Sequence, residues 1–290
     1  MLPLADFIVR NMQVVRTKNE MESIVKSILS KNETIGFVPT MGCLHIGHLS
    51  LLRAAQKNND ISLCSIFVNP TQFNNMDDYM LYPRNEKNDF QLLETNGCDI
   101  VFAPEADLVN DIEEITLDLR GVDNLMEGKF RPGHFKGVLN IVALLFKIVQ
   151  PSAAYFGEKD FQQLAIVKML VKAHFPTIHI EPCSTLREQA GLAISSRNAH
   201  LSEGEKQKAL AISKALFYIR DAAKSSKGTK ELKEKAIDLY FKNGELQLEY
   251  LEISDVDSLL PLDNIEQKAV VCIAAFCGKV RLIDNIVINY

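Results

Sequence analysis

The sequence has no C-x-x-C pair, no apolar run long enough to cross a bilayer, no excess of basic charge and no internal repeat. Each absence removes a class of function. Six cysteines (Cys43, Cys64, Cys98, Cys183, Cys272 and Cys277) are scattered through 290 residues. That spacing argues against a disulfide framework or a structural zinc site and suits free thiols in a reducing, cytoplasmic compartment. The longest apolar stretch, 138–149, is interrupted by Asn140 and Lys147 and falls short of the roughly 18 residues a spanning helix needs. The first 11 residues include Asp6 and Arg10 and lack the basic start, continuous apolar core and small-residue cleavage site of an export signal. A formal net charge of -5 offers no general footprint for nucleic acid or for an anionic membrane. Also missing are G-x-G-x-x-G and G-x-x-x-x-G-K-[ST], which sets aside a nicotinamide-type dehydrogenase and a P-loop kinase.

What is present is enough apolar material, 47% of the residues, to bury a substantial core in about two domains. Short β-rich segments at 34–39, 61–68, 99–102, 153–156 and 178–180 alternate with helical periodicity at 49–56, 89–95, 137–149 and 161–174. The alternation predicts an α/β fold, a Rossmann-like parallel sheet flanked by helices, over residues 1–182. Beyond about Cys183 the pattern changes. Ser202-Glu203-Gly204-Glu205 supplies a helix N-cap and an acidic first turn, with helices expected at 203–224 and 230–242. Strands are expected at 246–253, 269–276 and 280–287, with Gly278-Lys279 as a hairpin turn. Residues 183–290 therefore read as a smaller α+β domain of helices plus antiparallel sheet.

The most informative run is Met41-Gly42-Cys43-Leu44-His45-Ile46-Gly47-His48, which follows a strand and opens a helix. In an open α/β sheet such a crossing presents main-chain N–H groups and a helix N-terminus where phosphates bind. Gly42 and Gly47 permit close backbone approach, and the two imidazoles can donate to phosphate oxygens. The pair alone also suits a metal site or a plain turn. No third ligand lies at zinc spacing.

Three further segments emerge at strand ends. The amides of Asn69 and Gln72 belong to Phe67-Val68-Asn69-Pro70-Thr71-Gln72-Phe73, and could orient a hydroxy acid or simply form a turn. Downstream lie Tyr82, Arg84 and Asp89, the last a hard oxygen ligand for Mg²⁺ or a helix cap. Gly157-Glu158-Lys159-Asp160 opens another helix, with Gln163 in its first turn; Lys159 offers a point charge for phosphate, and the bland alternative is a charged cap. The run from Arg187 to Asn198 carries Ser195, Ser196 and Arg197 at the expected domain junction.

The His-x-Gly-His run resembles the signature of the nucleotidyltransferase α/β-phosphodiesterase superfamily. Taken with Pro-Thr-Met-Gly, Phe-Val-Asn-Pro-Thr-Gln-Phe, Arg131-Pro132-Gly133-His134-Phe135, Phe-Gly-Glu-Lys-Asp-Phe-Gln-Gln-Leu and Ser-Ser-Arg-Asn, residues 34–202 closely resemble the pantothenate synthetase (pantoate–β-alanine ligase) family. The resemblance implies that pantoate attacks the α-phosphate of ATP to give pantoyl-adenylate, which the β-alanine amine then opens. It implies ATP contacts from residues 41–48, Gly157, Glu158, Lys159, Asp160, Leu186, Ile194, Ser195, Ser196 and Arg197. His48, His45 and Lys159 would be catalytic. Gln72, Gln163, Asn69, Tyr82, Arg131 and His134 would bind the acid or amine, and Asp89 would meet Mg²⁺. A homodimer is implied, with residues 183–290 closing over ATP. A nucleotidyltransferase that keeps the adenylylated product, or a nucleotide sensor, would share the phosphate site. The chain departs from the family pattern at Cys43, usually Ala, and at Ala190, where Asp commonly precedes Gly-Leu-Ala; the second puts ATP or metal contacts there in doubt. The residues before Met12 have no assigned role.

Overall fold

A computed structural model describes residues 12–289; the segment before Met12 lies outside them. Six strands form one parallel sheet: β1 (Gln13–Val15), β2 (Ile35–Thr40), β3 (Ile61–Ile66), β4 (Ile100–Phe102), β5 (Ala153–Gly157) and β6 (His179–Cys183). Their spatial order is β1-β4-β3-β2-β5-β6. The chain therefore winds outward from β2 to β3 and β4, then returns to place β5 on the other side of β2. This reversal is the topological switch point of an open α/β sheet, and it opens a crevice at the carboxyl ends of β2 and β5.

Seven helices accompany the sheet: α1 (Lys18–Ser30), α2 (Ile46–Asn58), α3 (Met76–Leu81), α4 (Glu86–Thr95), α5 (Met126–Phe130), α6 (His134–Val149) and α7 (Phe161–His174). β2 is buried through Ile35, Gly36, Phe37 and Val38, as expected of a central parallel strand covered on both faces. α6 is apolar nearly all round and buried along most of its length, which marks a helix enclosed by other elements. Gly137 lets it sit against the turn at 70–72, where an added Cβ would lie 2.4 Å from the Thr71 carbonyl oxygen.

The remainder is a three-stranded antiparallel sheet, β7 (Gln247–Asp255), β8 (Ala269–Cys277) and β9 (Val280–Ile288), in the order β7-β8-β9. It is covered by α8 (Glu203–Ala222) and α9 (Thr229–Tyr240). A capping box starts α8: Ser202 Oγ accepts from Glu205 N, while the Glu205 carboxylate accepts from Ser202 N. Gly278, at φ 57°, makes the β8–β9 turn. The sequence reading has no counterpart for β1, α1, α3 or α5; the other boundaries shift by a few residues, mostly by extension of a helix or strand. Among the described residues no helix is long and apolar enough to cross a membrane.

Candidate active site

The cleft lies at the switch point and is built first from the β2–α2 turn. Gly42 (φ 79°) and Cys43 (φ 50°) both occupy the left-handed region, a conformation that disfavours a side chain at the second position. Asp89, in the first turn of α4, holds this bend. Its Oδ2 accepts from Cys43 N at 2.8 Å and its Oδ1 from Leu44 N at 2.7 Å. Burial pushes the Asp89 carboxyl up, and the two N–H donors oppose the shift. Asp89 is 1% exposed and does not line the cleft; each of its oxygens already holds a main-chain N–H. Among the described residues no cluster of three or more His, Cys, Asp or Glu is arranged to hold a metal ion.

His45 is the N-cap of α2. Its Nδ1 accepts the Gly47 N–H at 3.1 Å, and its own N–H donates to His48 Nδ1 at 3.3 Å. Two accepting Nδ1 atoms place the proton of each neutral ring on Nε2, where it can be donated outward. Burial, then the charge on Lys159, holds His45 down to about 4. Burial, then His45 and Lys159, holds His48 down to about 3. Gly47 has a sharper purpose than ligand approach, because a Cβ there would lie 2.8 Å from the His45 ring. The glycine of H-x-G-H is what lets the first imidazole fold back onto its own helix.

From this turn Met41, His45, Gly47 and His48 line the cleft. Gly157, Lys159 and Asp160 do so from the β5–α7 turn. The segment after β6 adds Leu186, Ile194, Ser195, Ser196 and Arg197. Gly42, Cys43, Leu44, Ile46 and Glu158, also expected at ATP, are not among the lining residues. Lys159 and Arg197 give the cleft two cations against one carboxylate, Asp160, a balance that favours a polyanion.

The other end of the cleft carries amides. Gln72 is 8% exposed; its Oε1 accepts from Asn69 Nδ2 at 3.2 Å, and its Nε2 lies 2.9 Å from Met41 Sδ. Asn69 is committed to the turn: Oδ1 accepts from Thr71 N and Oγ, and Nδ2 also donates to the Gly137 carbonyl. Gln163 and Tyr82 complete the expected lining, Tyr82 pushed up by burial and with its hydroxyl on Ser196. Arg131 and His134 do not line this cleft. They stand one layer behind, where His134 Nδ1 donates to the Gln72 carbonyl at 2.8 Å and its Nε2 accepts from Arg131 at 3.1 Å. Burial and the Arg131 charge hold His134 down to about 4.

Sequence reasoning missed the apolar wall of α6, Val138, Ile141, Val142 and Leu145, which lines the same cleft. The signal was the absence of a polar face on that helix. Ala190 is exposed at the tip of the 187–193 hairpin and is not part of the lining. The carboxylate common in the family at this position is therefore missing from a surface turn.

The family model of pantoate–β-alanine ligases matches residues 13–287. Pantothenate synthetase of Caldicellulosiruptor saccharolyticus is 43% identical over 280 residues, covering 96% of this chain and 100% of its own. That of Phocaeicola vulgatus is 46% identical over 279 residues, covering 95% and 99%. The crystal structure of pantothenate synthetase from Thermus thermophilus superposes with a TM-score of 0.87 at 37% identity, covering 95% of this chain and 99% of its own. Pantoate–β-alanine ligase from Francisella tularensis, solved in complex with Beta-gamma ATP and Beta-alanine, superposes with a TM-score of 0.78 at 38% identity, covering 95% and 97%. With near-complete coverage on both sides and a shared architecture, the chain belongs to the pantoate–β-alanine ligase family.

Proposed function

We propose that the chain joins pantoate to β-alanine at the expense of ATP, releasing pantothenate, AMP and pyrophosphate through a pantoyl-adenylate. The observation that carries this reading is the division of one cleft into a cationic, helix-capped end and an amide-and-aliphatic end. The first suits a triphosphate. The second suits a small acid with hydroxyl groups and a branched carbon skeleton.

In the first step a pantoate carboxylate oxygen bonds to the α-phosphorus, and the bond from that phosphorus to the bridging oxygen breaks as pyrophosphate leaves. Gln72 and Gln163 orient the acid through hydroxyl and carboxylate contacts, while Val138 and Val142 pack against its methyl groups. The Nε2–H groups of His45 and His48 stabilise charge gathering on the phosphoryl oxygens, with Lys159, Ser195, Ser196 and Arg197 on the departing side. In the second step the β-alanine amine attacks the acyl carbon, the acyl–oxygen bond breaks, and AMP leaves as the amine gives up a proton. Neither step needs a covalent bond to the protein.

Magnesium fits as a companion of the triphosphate. It commonly binds through one or two carboxylates plus phosphates and water, and Asp160 is the carboxylate available at the cleft; the ion would neutralise charge on the leaving pyrophosphate. Residues 1–182 would form the ATP- and pantoate-binding unit and residues 183–290 the smaller unit closing over it, a reading supported by Leu186 and Ser195 reaching the cleft from the second. Six free thiols support a cytoplasmic setting. A homodimer is expected from the family resemblance, with light scattering reporting twice the chain mass. The catalytic reading is tested by substrate omission: ATP, Mg²⁺ and pantoate should suffice for pyrophosphate, whereas sustained AMP release should also require β-alanine. A stable adenylylated acid as the final product would overturn it.

A further inference from the structure

We propose that Asn285 is a positioning residue for Lys159, setting from the C-terminal sheet the direction in which the ammonium enters the cleft. The inference rests on the reading that Lys159 meets the triphosphate. Lys159 lies in the 158–160 turn between β5 and α7, with its side chain 16% exposed. Its acidic neighbour is a weak guide: Asp160 Oδ2 is 3.8 Å from Nζ and is itself half-exposed. The turn also has no side-chain cap of its own.

Its main chain is held from β9 instead. Asn285 Nδ2 donates to the carbonyl oxygens of Glu158 and Lys159, both at 2.8 Å. These carbonyls belong to the two peptide planes that flank the Lys159 Cα. Because each plane is rigid, fixing both fixes φ and ψ of Lys159 and hence its Cα–Cβ direction. Asn285 is in turn 6% exposed and pinned on both sides. Its N–H donates to Asp284 Oδ1 at 2.8 Å, and its carbonyl accepts from Arg187 Nη2 at 3.0 Å. Asp284, 3% exposed, receives Arg187 in a bidentate pair at 2.6 and 2.9 Å. Arg187 follows the cleft-lining Leu186 directly. The dipeptide Asp284-Asn285 thus ties the β5 turn and the segment after β6 to one strand. An amide suits position 285, because a carboxylate would set acceptors against two carbonyl oxygens and an aliphatic chain would remove the donor the two carbonyls share.

The test compares two half-reactions within each preparation of Asn285→Asp and Asn285→Leu. One is pyrophosphate release from ATP and pantoate; the other is aminolysis of chemically prepared pantoyl-adenylate by β-alanine. We expect adenylation to fall on the order of 10- to 100-fold with a raised KM for ATP, while aminolysis stays within about twofold, as displacement of one reacting-site charge predicts. The ratio is independent of how much protein is folded, and Asn285→Ser carries the same comparison should the larger changes yield no soluble chain. Equal losses in both half-reactions, or unchanged adenylation, would overturn the proposal. Lys159→Ala run in parallel separates the layers. If it fails to slow adenylation selectively, the assignment of Lys159 to the triphosphate falls and the inference with it. If it does slow adenylation and the Asn285 variants do not, only the positioning role is lost.

Discussion

His48 Nδ1 accepts the main-chain N–H of His45 at 3.3 Å, with the two ring centroids 4.1 Å apart. This one bond decides the chemistry of the pair. A ring whose Nδ1 must accept cannot also carry a proton there, so His48 acts as a neutral donor through Nε2 in the substrate-free enzyme.

That assignment predicts different fates for two substitutions. His48→Ala should slow adenylation on the order of 10²- to 10³-fold, the usual cost of removing one donor to a developing oxyanion. His48→Gln, which keeps an N–H near the Nε2 position, should retain distinctly more activity than His48→Ala. Rapid-quench measurement of pyrophosphate formation distinguishes them; equal losses would favour a protonated imidazole acting as an acid.

Stability should fall as the solution is acidified. Burial holds His45 and His134 down to about 4 and His48 to about 3, from an ordinary value of 6.5. Below 6.5 the unfolded chain binds protons that the folded chain refuses, so stability is full above that value and declines toward about 4. Burial works to raise Glu127, but the Arg281 guanidinium outweighs it and holds the carboxyl below its ordinary 4.5, which adds loss in the same direction at lower pH. Urea unfolding between pH 7 and 4.5 should show this decline, and His48→Gln should make it shallower. A midpoint that stays level over that range would contradict the assignment.

Asp89→Asn separates an anchor from a metal ligand. Asparagine keeps one acceptor but sets an NH2 against the second of the two N–H groups, of Cys43 and Leu44, that the carboxylate holds; the change should cost about 2 kcal/mol, in the range of hydrogen bonds to charged groups, and slow adenylation by loosening the turn. The Mg²⁺ concentration giving half-maximal rate should not change. A large shift in that concentration would return Asp89 to the metal.

The two halves of the chain are clamped by Glu127 and Arg281, which pair through both carboxylate oxygens at 2.7 and 2.8 Å, with Tyr250 donating to the same carboxylate. Both side chains are largely buried. Arg281→Met should destabilise by about 3 kcal/mol because it strands the largely buried carboxylates of Glu127 and Glu249, and adding Glu127→Leu should recover the part owed to Glu127. Denaturant unfolding of the single and double variants reads this directly; strictly additive losses would show that the pair is not the source.

The parallel sheet and the cationic, helix-capped end of the cleft are legible in the sequence because both are local. Strand, turn and helix adjoin around His45 and His48, and the glycines mark the bend. The neighbour of Gly47 is not legible, since only coordinates show the His45 ring in the space a Cβ would fill. The main-chain partners of Asp89 are hidden for a related reason. A carboxylate at a helix start offers itself equally to a metal and to main-chain N–H groups, and its actual partners lie 45 and 46 residues away. Asn285 carries no local signal at all, because its partners at 158 and 159 are more than a hundred residues earlier and are main-chain carbonyls that any residue supplies.

The central claim, that one cleft adenylates pantoate and then delivers the acyl group to β-alanine, is tested most directly by oxygen transfer. With pantoate labelled with ¹⁸O in both carboxylate oxygens, the enzyme, unlabelled ATP, Mg²⁺ and β-alanine should yield AMP carrying one labelled oxygen and pantothenate retaining the other in its amide carbonyl. Labelled inorganic phosphate, formation of ADP, or AMP free of label would contradict the account.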